Sequence, residues 1–316
     1  MLRYALRRFL LIWPTLVVVG LVTYTLAFYG PGDPAMAIMA NMGYQGMKVE
    51  TYLRLRQSLG LNRPFVVQFG EWFLRVIQGN FGKSMTTNLN INSLVAAKLP
   101  VSAQLALAAM ALATVVGVPL GILAATKRNT RADYTILSMF LALSSVPVFV
   151  MAPLLMIILA LKLDLVPVGL GWKGLFNPNS IIPVLVLAIG PTLGIVRLTR
   201  MGVVETLTDD HIRTARATGL PERLVIARHV LRNALTPVIT SIGMTMGYLI
   251  TGAIFVEQIF SIPGFGALTF QGLMKRDYPV LLACTLISAF IIMGSNLIVD
   301  LIYGLLDPRV SYETYE

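Results

Sequence analysis

The side chains of this sequence that could do chemistry are few and scattered. Its histidines, His211 and His229, share one polar stretch, and its single cysteine, Cys284, lies in an apolar run. Hydrolytic or redox catalysis needs a nucleophile, a base and an orienting group that converge. Histidines in a single segment build no buried triad, and one cysteine gives neither an intrachain disulfide nor a thiolate metal cluster. Ser144 and Ser145 have no base in view, so packing between helices is their expected role. Gly82-Lys83-Ser84 has the end of a phosphate-binding loop, but that motif needs a glycine where Ile77 stands. The expectation is a chain with no catalytic site, no metal and no cofactor of its own.

The polar stretch 205–237 is the most informative segment. Asp209 or Asp210 can cap a short helix that ends near Gly219, and Pro221 suits the first turn of a second. A helix, a glycine turn and a helix would make a rigid knob able to enter a partner's groove. The spacing alone is equally that of a basic loop that only fixes orientation.

The elements that must carry this knob are apolar. The chain has 316 residues, 56% hydrophobic and 13% charged, with a mean hydropathy of +0.75, beyond what a water-soluble surface tolerates. About 20 apolar residues span a bilayer as a helix, which satisfies its own backbone hydrogen bonds in lipid. Six such runs are expected: Phe9–Tyr29, Val101–Thr126, Tyr134–Leu161, Ile181–Val196, Thr236–Val256 and Pro279–Val299. Pro147, Pro153, Pro183 and Pro191 would kink the third and fourth. The first run follows Arg3, Arg7 and Arg8 as a signal peptide would, but it is too long for an h-region and is read as a retained helix.

The net charge of +10 fits topology better than nucleic acid, because the basic residues are dispersed among inter-helix segments without a stacking platform. With the N-terminus inside, Lys127, Arg128, Arg131 and the group from Arg200 to Arg232 are cytoplasmic, as the positive-inside rule requires. The C-terminal tail, 307–316, is then cytoplasmic too. Segment 31–100 is external; Tyr52–Leu59 and Pro64–Ile77 have helical spacing and predict a small folded subdomain there. Residues 101–306 form the rest of the transmembrane core. An ion-coupled transporter or channel would show ionisable groups at mid-depth, which the uncharged Gln104 and the near-terminal Asp300 do not supply. Asp300 is expected to be solvated or paired with an arginine.

The segment from Asp210-His211-Ile212-Arg213-Thr214-Ala215-Arg216-Ala217-Thr218-Gly219-Leu220 to Arg228-His229-Val230-Leu231-Arg232-Asn233-Ala234-Leu235-Thr236-Pro237 closely resembles the signature loop of dipeptide and oligopeptide ABC-transporter permeases. Pro31-Gly32-Asp33-Pro34, Gly79-Asn80-Phe81-Gly82, Phe260-Ser261-Ile262-Pro263-Gly264-Phe265-Gly266, Arg276-Asp277-Tyr278-Pro279-Val280 and Asp307-Pro308-Arg309 extend the likeness along the chain in the family's order. Arg213, Thr214 and Ala215 stand where importers generally carry Glu-Ala-Ala, with Gly219 retained, and Leu231-Arg232 replaces Leu-Pro.

The resemblance implies an all-α, six-helix type I importer permease in a bacterial or archaeal inner membrane. Asp210, Arg213, Thr214, Ala215, Arg216, Gly219 and Pro221 would form a coupling helix and turn that docks on an ATPase subunit. Pro31, Asp33, Pro263, Gly264 and Asp277 would belong to an external docking surface or gate. The partners implied are a homologous second permease, two ATPase subunits that use ATP and Mg, an extracytoplasmic peptide-binding protein and membrane lipid. Dipeptides or oligopeptides are the implied cargo, with glutathione or nickel complexes as the alternative in the same fold.

Overall fold

The computed structural model describes residues 2–29, 35–36, 39, 49–58, 62–167 and 169–306. Apart from one isolated bridge, Lys83 to Asn90, their regular elements are helical. In chain order these are α1 (Leu2–Tyr29), α2 (Val49–Ser58), α3 (Phe65–Ile77), α4 (Ile91–Thr126), α5 (Arg131–Ser145) and α6 (Val148–Leu155), which loosens into a π-helical stretch (Met156–Lys162). After α7 (Ile181–Thr206) and α8 (Asp210–Ala217) comes α9, made of Glu222–Leu224, a π-helical Val225–Val230 and Leu231–Ala234. Last are α10 (Thr236–Gly252), α11 (Ile254–Ile259), α12 (Phe265–Met274) and α13 (Tyr278–Leu306).

Five stretches are long and apolar enough to cross a bilayer: α1 from Arg8, α4, α7, α10 with α11, and α13. The expected third span, Tyr134–Leu161, is not one helix, because α5 and α6 meet at 103°. Pro147 has no N–H to continue the ladder, and its ring holds Val146 in an extended conformation at φ −83°, ψ 124°. The pair still runs from end to end. Asp133 at the start of α5 meets Arg200 near the end of α7, and Ala160 beyond α6 packs with Phe260 and Ile262 at the opposite end. Counted as one broken pass, it brings the total to six.

Three further expectations change. Helix α4 starts at Ile91, well before the apolar run at Val101: Asn90 caps it by accepting from the Asn92 N–H at 2.9 Å, and Ile91 and Val95 bury against Phe265. Helix α7 continues past Val196 to Thr206, so Arg200 is helical and not part of a loop. Pro183 falls in the first turn of α7, where a missing N–H goes unnoticed, and only Pro147 breaks a helix outright.

The centre of the bundle is the α4–α7 pair. A Cβ on Gly121 would stand 2.5 Å from Thr199 Cβ, so only glycine lets these backbones come this close. Helix α10 crosses over them and packs Val238 onto Ala109 of α4 and Ala188 of α7. Cys284 is buried beside Ile91 and Phe265 as a small hydrophobe. Helix α1 leans on α13, and its outward face exposes Phe9, Leu10, Leu11, Val18, Val22 and Leu26, a band that suits lipid tails. Arg8 pairs with Asp300 at 2.5 Å, as expected of that carboxylate.

Candidate functional site

The knob is present and welded to the bundle. Helix α8 turns Ile212 and Ala215 inward onto Ala125 of α4, Val203 of α7, and Val225, Val230 and Ala234 of α9. Its other face presents Asp210, His211, Arg213 and Thr214. This separates residues that the sequence grouped together: Arg213 and Thr214 are exposed, whereas Ala215 is an anchor. Asp209 sits at the cap position without a side-chain cap bond, its carboxylate 3.7 Å from His211 Nδ1.

The turn after α8 depends on Gly219, whose φ of +79° is the left-handed conformation that glycine adopts without strain. Pro221 stands just before α9 and not inside it. Across the turn, Arg216 Nη2 donates to Glu222 Oε1 at 2.6 Å and Nε to Oε2 at 3.1 Å, a bidentate clamp between α8 and α9. The guanidinium holds the Glu222 carboxyl below the usual carboxylate range, and the carboxylate raises Arg216 in return. Arg213 makes only a 3.3 Å contact to Asp210 and keeps 75% of its side chain exposed. Beneath the knob, a Cβ on Gly202 of α7 would meet the Ala234 carbonyl oxygen at 2.5 Å, so α7 and α9 move together.

Beside the knob, Arg200 grips the buried Asp133 with two bonds of 2.6 and 2.7 Å. The Asn129 N–H donates to the same carboxylate at 3.0 Å, which fixes the turn between α4 and α5. Composition gives only a basic patch here; the pairing is a tertiary fact.

At the opposite end two carboxylates are buried. Glu257 of α11 is fully buried; it accepts from Ser102 Oγ of α4 at 2.5 Å and from the Ala267 N–H in the first turn of α12 at 2.7 Å. Ser102 Oγ in turn accepts from the Phe265 N–H at 2.7 Å. Asp277 accepts from Ser84 Oγ at 2.6 Å, from Thr86 Oγ1 at 2.8 Å, and from the N–H groups of Met85 and Thr86 at 3.1 Å each. Asp277 therefore lashes the segment before α4 to the start of α13, and it is not an exposed docking residue. Gly264 is buried where a side chain would fall on the Glu257 carboxylate, while Pro263 is exposed. Pro31 and Asp33 lie outside the described residues. Glu257 was not singled out from sequence; the signal available was a carboxylate at the end of an apolar run.

Known families and proteins match the chain along its length. Residues 117–312 match the family described as "Binding-protein-dependent transport system inner membrane component", and residues 1–106 match its N-terminal companion family. The oligopeptide transport system permease protein OppB of Salmonella typhimurium (strain LT2) is 36% identical over 313 residues, 99% of this chain and 100% of that protein. The dipeptide transport system permease protein DppB of Escherichia coli (strain K12) is 36% identical over 341 residues, with the same coverage. In fold, the chain resembles a chain of the inward-facing MetNI methionine ABC transporter at a TM-score of 0.57 and 16% identity, covering 68% of this chain and 96% of that one.

Proposed function

The chain belongs to the binding-protein-dependent transport system inner membrane component family, and from that premise we propose that it is one pore-forming half of an ATP-driven peptide importer. The observation that carries this reading is the 36% identity, along the whole chain, to permeases of oligopeptide and dipeptide transport systems. A second permease would supply the other half of the passage. Two separate ATPase subunits would hydrolyse ATP with the help of Mg, and an extracytoplasmic protein would deliver peptide. The chain itself carries out no hydrolysis and binds no cofactor.

The geometry supports the mechanism. The α8–α9 knob would sit in the cytosol with Asp210, Arg213 and Thr214 facing the ATPase. Because Ile212 and Ala215 pack into α4, α7 and α9, a push on the knob tilts the two most closely packed helices of the core. Alternating access then follows from rocking this half against its partner. At the outer end, the Glu257 and Asp277 networks make α11, α12 and the start of α13 move as one rigid lip.

The test is peptide uptake by proteoliposomes that contain all the subunits. Uptake is expected with ATP and is expected to vanish when ATP is replaced by an imposed proton gradient. Gradient-driven uptake without ATP would overturn the reading.

A further inference from the structure

Between α4, α7 and α10 lies a cleft of about 310 Å³, at the lower end of the range of small-ligand pockets. Its floor is Gly190 and Gly194 near the middle of α7, its wall is Ser241 and Thr245 of α10, and Met110 and Leu249 close its sides. We propose that this cleft is the chain's share of the translocation passage, and that it takes the main chain of an extended peptide; the cargo rests on the function proposed above.

Two observations coincide at this cleft; each occurs singly elsewhere, at Gly252 and at Thr199. The first concerns glycine, which costs a helix about 1 kcal/mol against alanine and needs a reason to be there. The reason is plain for Gly121 and Gly202, where a Cβ would strike the neighbouring helix. Around Gly190 and Gly194 there is nothing within 4 Å of the Cβ position, so the bundle leaves that space open.

The second concerns hydroxyls. Thr114, Thr192, Thr206, Thr240 and Thr251 each return the side-chain hydroxyl to the carbonyl four residues earlier, at 2.7–3.1 Å. Ser241 and Thr245 lie in the same helix as two of these, yet hold no hydrogen bond among the described residues. An unsatisfied hydroxyl facing lipid is costly, so these two point toward a polar occupant or water. The adjoining surface of α10 exposes Tyr248 and Met244.

The lining suggests what passes. It carries no charged side chain, so it does not sort cargo by charge. A hydroxyl both donates and accepts, which suits either group of a peptide bond whatever the side chains are. A glycine floor lets a backbone come close.

The experiment uses the assembled complex in proteoliposomes, with Cys284→Ser as background. Thr245→Cys is expected to react with a membrane-impermeant thiosulfonate about tenfold faster than Leu26→Cys on the lipid face, a difference worth about 1.4 kcal/mol, and to slow when peptide-loaded binding protein and ATP are supplied. Thr245→Val, which keeps the shape and removes the hydroxyl, is expected to raise the peptide KM about fivefold, the scale of one lost hydrogen bond. Gly194→Trp is expected to abolish uptake while binding-protein-stimulated ATPase persists. Reaction of Thr245→Cys only with a bilayer-soluble maleimide would make the cleft a lipid site. Labelling in the isolated chain but never in the complex would make it a seat for the second permease. Either outcome overturns the proposal, as does unchanged KM in Thr245→Val. A complex that takes up no peptide, but whose Thr245→Cys stays water-accessible and ATP-sensitive, overturns peptide import and supports the passage.

Discussion

At the knob the charged groups face outward, with 95% of the Asp210 side chain and 75% of the Arg213 side chain exposed. At the opposite end Glu257 and Asp277 are exposed by 0% and 1%. The difference is one of purpose. An exposed ion pair contributes little to stability, because water and salt screen it, so in the proposed coupling role the knob's charges would be available to a partner. A buried carboxylate is tolerable only when donors surround it, and Glu257 and Asp277 each collect donors from distant parts of the chain. On the reading proposed above, one end would exchange contacts during a transport cycle, while the other would keep its contacts.

This comparison is sharpest at Glu257. Glu257→Ala leaves the Ser102 hydroxyl and the Ala267 N–H buried without an acceptor, and a loss of about 3–5 kcal/mol is expected from the unmet donors and the void. Glu257→Gln keeps an oxygen for Ala267 and should cost about 1 kcal/mol. Thermal unfolding of the solubilised complex measures both. Asp277→Ala should fall between them, with hydrogen exchange rising at Met85 and Thr86. If Glu257→Ala proves no more harmful than a charge change on the knob, the contrast between the ends fails.

The knob gives the next largest effect, and it appears in coupling. Arg213→Glu should lower binding-protein-stimulated ATPase several-fold and leave stability within about 0.5 kcal/mol of the parent, as for surface changes in general. Arg216→Glu should do the same and also loosen the turn, because it places two carboxylates face to face at Glu222. Limited proteolysis near Gly219 separates the two: faster cleavage is expected in Arg216→Glu alone. Equal cleavage would remove the clamp role from Arg216.

Much of this could be read from the residues and much could not, for physical reasons. Apolar runs declare crossing segments because lipid demands them, and Gly219 declares a turn because only glycine adopts that conformation without strain. The bend at Pro147 was visible as a proline, but its 103° angle is set by what α5 and α6 pack against. In sequence, Glu257 is simply the first charged residue after the run that ends at Val256. Its burial depends on Ser102, far away in sequence, and on the N-terminus of α12, which no local pattern brings together. Arg200 looked like a loop cation for the same reason: Asp133 is its partner only in space. Local chemistry is legible where one residue type alone meets the demand, and illegible where two distant residues meet it jointly.

The smallest effect tests whether the clamp is electrostatic at all. Arg216 lowers the Glu222 carboxyl below its ordinary value, so proton uptake by Glu222 is harder in the folded knob than in the unfolded chain. The stabilisation is then fully present above the unfolded value of about 4.3 and is lost as pH falls through the lower, folded value. Between pH 5 and 8 this pair contributes no pH dependence; below about pH 4.3 the turn around Gly219 should begin to open. Both partners are about half exposed, so the gain is under about 1 kcal/mol and should shrink in high salt. Glu222→Gln should raise cleavage at pH 7 to about the level the parent reaches in acid, and should show no further acid-induced rise at this turn. A turn that opens in acid equally with Glu222→Gln would assign its stability to the apolar anchors Ile212 and Ala215, and the exposed face of the knob would then carry charge for its partner alone.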